Sequence, residues 1–98
     1  MITSSPVVYV SAATAWEIEI KRALGKLKAP DNLEQELSAN HFAPLPITIA
    51  HAIAAARLSR HHDDPFDRML IAQANTESLI LLTGDERLRA YASEIRLV

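Results

Sequence analysis

Apolar and polar positions along the chain fall into blocks of two kinds. Residues 7–10 (Val7, Val8, Tyr9, Val10) and 79–82 (Leu79, Ile80, Leu81, Leu82) are apolar without interruption, the pattern of short strands buried on both faces. Thr83, Gly84 and Asp85 end the second run abruptly. Between these runs the period becomes helical. Over residues 12–27, Ala13, Trp16, Ile20, Ala23, Leu24 and Leu27 form one stripe, Glu19 and Arg22 face away, and Gly25 weakens or ends the helix. A short helix then runs to about Ser38, with Asp31 as its cap and Glu34 three residues later. Pro44 and Pro46 cannot donate to a ladder, so any strand within residues 41–47 belongs at a sheet edge. Thr48 or its neighbour opens an alanine-rich helix through Leu58, in which Ile49, Ala52, Ile53 and Ala56 are expected to pack inward. A helix over 65–78, a short one over 85–91 and an edge strand over 95–98 complete the chain. Strands alternating with helices predict one α/β domain over residues 1–98, an α/β/α three-layer arrangement on a mainly parallel sheet.

The helix that starts at Pro65 is the most sharply specified element. Asp64 suits the N-cap, Pro65 is pre-set for the first helical position, and Asp67 falls where a carboxylate faces free backbone N–H groups. Asp67 also shares an apolar stripe with Leu70, Ile71 and Ala74, while Arg68, Asn75 and Thr76 take the other side. A carboxylate on such a stripe is costly unless something binds it, so Asp67 reads either as a capping group or as a site residue. Glu17 has two readings as well. It closes a capping box opened at Thr14 and pairs with Lys21, or it is a carboxylate held at the edge of its own stripe.

Geometry links these acids. The helix over 65–78 is about 20 Å long and the strand after it runs back over about 16 Å, so the helix start lies above the strand end. Asp67 then neighbours Asp85. If the strand at 7–10 is parallel to that at 79–82, Glu17 rises from the same rim, where open α/β sheets bind ligands. Three carboxylates meeting there repel one another unless a cation neutralises them, and an oxygen-only set selects Mg²⁺ or Mn²⁺.

Composition narrows the classes. A chain of 98 residues with 49% hydrophobic and 22% charged positions has the balance of one small globular domain, not of a disordered or coiled-coil segment. With no cysteine there is no disulfide, no thiolate zinc site and no cysteine nucleophile. A net charge of -2 offers nucleic acid no bulk attraction, so a polyanion needs a local basic patch or a metal. Lys21, Arg22, Lys26 and Lys28 form such a cluster, which reads equally as a solvated face balanced by Glu19. No apolar run approaches the ~18 residues of a membrane helix, and residues 1–6 lack the pattern of a signal peptide, which leaves the cytoplasm as the expected location.

VSAATAWEI at 10–18 followed by Lys21, GKL at 25–27, PLPI at 44–47, HDDPFDRMLIAQA at 62–74 and LTGDER at 82–87 together resemble the PIN-domain ribonucleases. The likeness is specifically to toxins of the VapBC toxin-antitoxin type and covers essentially the whole chain. It implies an endoribonuclease dependent on Mg²⁺ or Mn²⁺, with Glu17, Asp67 and Asp85 at the acidic, metal-holding catalytic positions. It further implies Ser11 and Thr14 as polar positions near the metal, Arg68 as a substrate contact, and RNA and a cognate antitoxin protein as partners.

In one respect the chain departs from the family pattern. That pattern begins with an apolar strand carrying a first metal-binding aspartate, then a helix, ahead of the segment that starts here at Val7. Only Met1 to Pro6 precede it. The domain is therefore expected to be N-terminally truncated relative to the family, with a gap between the strands at 7–10 and 79–82. Unpaired edges at the gap would favour a homo-oligomer unless another chain fills the slot. Two readings of function follow: a metal-dependent RNA-cleaving toxin, or a catalytically incomplete remnant that only binds its antitoxin. Ile18, off the main stripe, is a candidate contact for an antitoxin segment or second subunit, or else is covered by the neighbouring short helix. His61 and His62 read as a polar loop or as metal ligands, and His41 and His51 carry no signal.

Overall fold

The computed structural model describes residues 2–4, 7–59, 63–83 and 95–97. Nine elements follow in order: β1 (Ile2–Ser4), β2 (Val7–Ser11), α1 (Ala12–Ala23), α2 (Leu33–Ala39), β3 (Ala43–Leu45), α3 (Ile49–Arg57), α4 (Pro65–Thr76), β4 (Ile80–Thr83) and β5 (Ile95–Leu97). The helix expected over 85–91, Asp85 itself and the histidines at 61 and 62 lie outside the described residues.

The strands form one sheet in the order β3-β2-β1-β4-β5. β2 with β3 and β4 with β5 pair in parallel, whereas β1 pairs antiparallel with both of its neighbours. Four strands thus share one direction, as a mainly parallel α/β sheet requires. β3 and β5 occupy the edges, where the prolines and the chain's last apolar run place them.

The expected gap at the centre of the sheet is corrected by β1. Ile2 pairs with Tyr9 on one side and with Leu81 on the other, so the chain's own first residues lie between β2 and β4. The direction of β1 follows from its connection. Only Ser5 and Pro6 separate it from β2, and a parallel crossover needs a dozen residues or more, so the pair is antiparallel. The open interior edges behind the expectation of a homo-oligomer are therefore paired within the chain. β1 consists of Ile2, Thr3 and Ser4, so it fills the slot without a carboxylate.

Ile2, Tyr9 and Leu81 share a register and one face of the sheet, and α4 covers them with Ile71 and Ala74. Leu45, Leu58, Leu70 and Leu79 pack around this core. Several helix ends are chemically marked. Ser11, the last residue of β2, caps α1 through its hydroxyl, and Gly25 at φ 72° closes it, with the Lys26 N–H donating to Lys21 O and the Gly25 N–H to Arg22 O. α1 therefore stops at Ala23, earlier than its apolar stripe predicts. α2 begins at Leu33 behind Asn32 rather than at an Asp31 cap. His41 (φ 64°) and Ser78 (φ 55°) take the same left-handed position after α2 and α4.

Two helices are rotated from the expected phase. On α1 only Ala13 is buried, while Trp16 and Leu24 are each 63% exposed and Ile20 and Leu27 are also exposed. Ile18 is half-buried, so it is not an open contact. On α3 the buried residues are His51 and Ala55, and the expected inward residues Ile49, Ala52, Ile53 and Ala56 face out. Caps account for both shifts. Ser11 starts α1 directly off the strand with Ala13 innermost, and Thr48 sets α3 through its bond to His51.

Candidate active site at the starts of two helices

The carboxyl ends of β2 and β4 point the same way, since both run opposite to β1, and Tyr9 and Leu81 lie level with each other. α1 begins where β2 ends. α4 runs into β4 through a tight turn in which the Leu79 N–H donates to Ala74 O, so the first turn of α4 rises over that same rim. The two helix starts touch through Trp16 and Phe66, whose rings meet edge to face at 5.3 Å and 71°. Glu17 and Asp67 are the residues next in sequence to those two rings. Both are half-buried.

The α4 start is built as its sequence dictates. Asp64 Oδ1 accepts the N–H groups of Phe66 (2.9 Å) and Asp67 (3.2 Å), and Pro65 occupies the first helical position. Asp67 stands three residues past that cap. Glu17 pairs with Lys21 Nζ at 3.4 Å, the ion pair expected from its spacing, but the capping box from Thr14 does not form because Ser11 is the cap. Ser11 is buried and its oxygen accepts the Ala13 N–H, a structural task. Thr14, one turn along, is half-exposed. Arg68 spans to the end of α3, where its guanidinium donates to the carbonyls of Ala55 (2.9 Å), Leu58 (2.8 Å) and Ser59 (2.9 Å).

Oxygen donors and an absence of cysteine suit a hard divalent cation, and Glu17 and Asp67 supply such donors from adjoining helix starts. Among the described residues no group of three acidic or imidazole side chains converges, and the third expected acid, Asp85, lies outside them. A separate cleft of about 920 Å³ lies beneath α2, lined by Val10, Ala15, Phe42 and Leu45 together with Glu19 and Asp31. Neither Glu17 nor Asp67 lines it. The basic cluster on α1 is also divided. Arg22 pairs with Glu19 and Asp31, Lys21 pairs with Glu17, and Lys26 and Lys28 remain exposed beyond the helix.

His51 carried no readable signal and proves to be a buried polar centre. Its Nδ1 accepts the Thr48 N–H at 3.0 Å, which puts the ring proton on Nε2, and Nε2 donates to Glu77 Oε1 at 2.8 Å. Gln73, fully buried, directs its amide nitrogen to Pro46 O at 3.3 Å and to His51 Nδ1 at 3.4 Å. The spacing Thr48-x-x-His51 was the available clue, since it is a capping box in which histidine stands where glutamate or glutamine is usual.

No helix among the described residues is long and apolar enough to cross a membrane. No curated protein matches the chain. Compared with known families, the chain matches the PIN domain over residues 2–94. PIN domains are generally nucleases and typically use divalent metal ions. The mainly parallel sheet, the two adjoining helix starts and a match over nearly the whole length lead to one conclusion: the chain belongs to the PIN domain family.

Proposed function

We propose that this protein is a metal-dependent endoribonuclease, the cytoplasmic toxin of a toxin-antitoxin pair, in which Glu17, Asp67 and Asp85 hold Mg²⁺ or Mn²⁺. The observation that carries the reading is the contact of Trp16 with Phe66, which brings Glu17 and Asp67 to neighbouring helix starts in a chain of the PIN family. When bound, the cation supplies positive charge at the scissile phosphate and acidifies the attacking water. The chain's own groups set the stage. Asp64 caps α4 and fixes the turn that carries Asp67, Ser11 fixes the first turn of α1 on which Thr14 sits, and Arg68 locks α4 against α3 so that the rim keeps its shape. Thr14 is the polar side chain within reach of substrate at that turn, while Ser11 and Arg68 serve the site by holding the helices that form it.

Cleavage of structured RNA in Mg²⁺, abolished by excess EDTA and by Asp67→Asn with the fold intact, is the expected result. Equal cleavage in EDTA would overturn it. A second reading is favoured by one observation: β1 fills the central slot without a carboxylate, leaving one acid fewer at the rim than the family pattern supplies. On that reading the chain binds its antitoxin and cuts nothing, and wild-type protein with no activity but intact antitoxin binding would select it.

A further inference from the structure

We propose that Trp16 is a stacking platform for an unpaired base of the RNA strand, an inference that rests on the nuclease reading and specifies how its substrate is held. Trp16 lies next to Glu17 in sequence and is 63% exposed even though its ring touches Phe66. A large aromatic left open on a helix contributes little to the core and offers a face to a flat partner. Ile20 and Leu24 continue the same side of α1 at intervals of four residues, exposed by 36% and 63%. Beyond them stand Lys26 and Lys28, both exposed.

From Trp16 to Leu24, where α1 closes just ahead of Lys26, the path is about 12 Å at helical rise, a stretch that a few nucleotides of single strand span. The order along it is what such a strand requires: a cation site where the phosphate is cut, an aromatic face beside it, an apolar floor for sugar and base, and lysines for the phosphates further on. Lys26 and Lys28 supply at the far end the positive charge that a phosphodiester backbone needs, while Lys21 and Arg22 are held by acids of their own. Every base has a π-face, so the platform favours unpaired over paired RNA and distinguishes little among the bases.

The chain contains a single tryptophan, so its fluorescence reports this ring alone. Titration in EDTA, where cleavage is stopped, with a short single-stranded oligoribonucleotide is expected to quench Trp16 saturably, and a matched duplex to quench it less. Anisotropy of the labelled strand should show Trp16→Leu binding about tenfold more weakly and Trp16→Phe close to wild type. Lys26→Gln with Lys28→Gln should flatten the salt dependence of binding by about 1.4 in log-log slope. Phe66→Leu removes the ring contact but leaves the platform, and should bind as wild type does. Strand binding without quenching, or equal weakening by Phe66→Leu and Trp16→Leu, would overturn the proposal, the latter making Trp16 a support for Asp67. So would a change of mass in light scattering on Trp16→Leu with RNA affinity unchanged, which would make the face an interface between copies. Wild-type protein that binds and quenches but never cleaves would defeat the nuclease reading and leave the platform standing. Unaltered KM for cleavage in Trp16→Leu would defeat the platform alone.

Discussion

The two ends of α4 handle polar groups in opposite ways. Along its later turns Gln73 is fully buried, and Glu77 at the C-cap accepts a hydrogen bond from Nε2 of the buried His51 across the seam with α3. Almost every polar atom there has a partner, Gln73 Oε1 being the buried side-chain atom left without one among the described residues. At the first turn, Asp64 caps the helix and Asp67 stays half-buried, one residue past the Phe66 ring that touches Trp16 on α1. A polar seam with nearly every atom partnered rigidifies a fold, whereas partly exposed carboxylates on adjoining helices are the groups a cation can reach. Polar residues alone do not mark a site; what matters is how deeply the fold has buried them.

Substitutions can break this contrast. The largest effect is expected at the first turn, where Asp67→Asn should lower RNA cleavage by about 100-fold or more with the thermal midpoint almost unchanged. His51→Ala should do the reverse. It strands Gln73 and Glu77 and leaves a void in the seam, so unfolding in urea should show about 2.5 kcal/mol lost, with cleavage per folded molecule retained. Arg68→Met removes a cation from the end of α3 and should cost about 2 kcal/mol by the same measurement, again without changing how the folded protein depends on Mg²⁺. The smallest effect sharpens the picture from the other side. Ser78 holds a left-handed conformation at φ 55°, so Ser78→Gly should raise stability by about 0.5 kcal/mol and leave cleavage alone.

How much of this was legible in the sequence varied with how local the cause was. The α4 start was fully written there, because Asp64, Pro65 and Asp67 act within one turn. So was the alternation of elements, and with it the rim that gathers the helix starts. The phases of α1 and α3 were not. Apolar periodicity favours the largest stripe, but Ser11 and Thr48 fix where each helix begins, and Ala13 and His51 turn inward as a result. β1 was invisible for another reason. Ile2, Thr3 and Ser4 are too few to show a period, and only pairing on both sides makes them a strand. Arg68 reads as a substrate contact by position, yet its carbonyl partners belong to a different helix and are found only in three dimensions.

The central claim is that Glu17 and Asp67, which follow the touching rings of Trp16 and Phe66 on α1 and α4, hold one divalent cation between them. Calorimetric titration of the protein with Mn²⁺ tests it without reference to any substrate. Saturable binding to the wild type, weakened by about tenfold or more in both Glu17→Gln and Asp67→Asn and untouched in His51→Ala, is the predicted result. Mn²⁺ affinity that is the same in the wild type and in both carboxylate variants would contradict it.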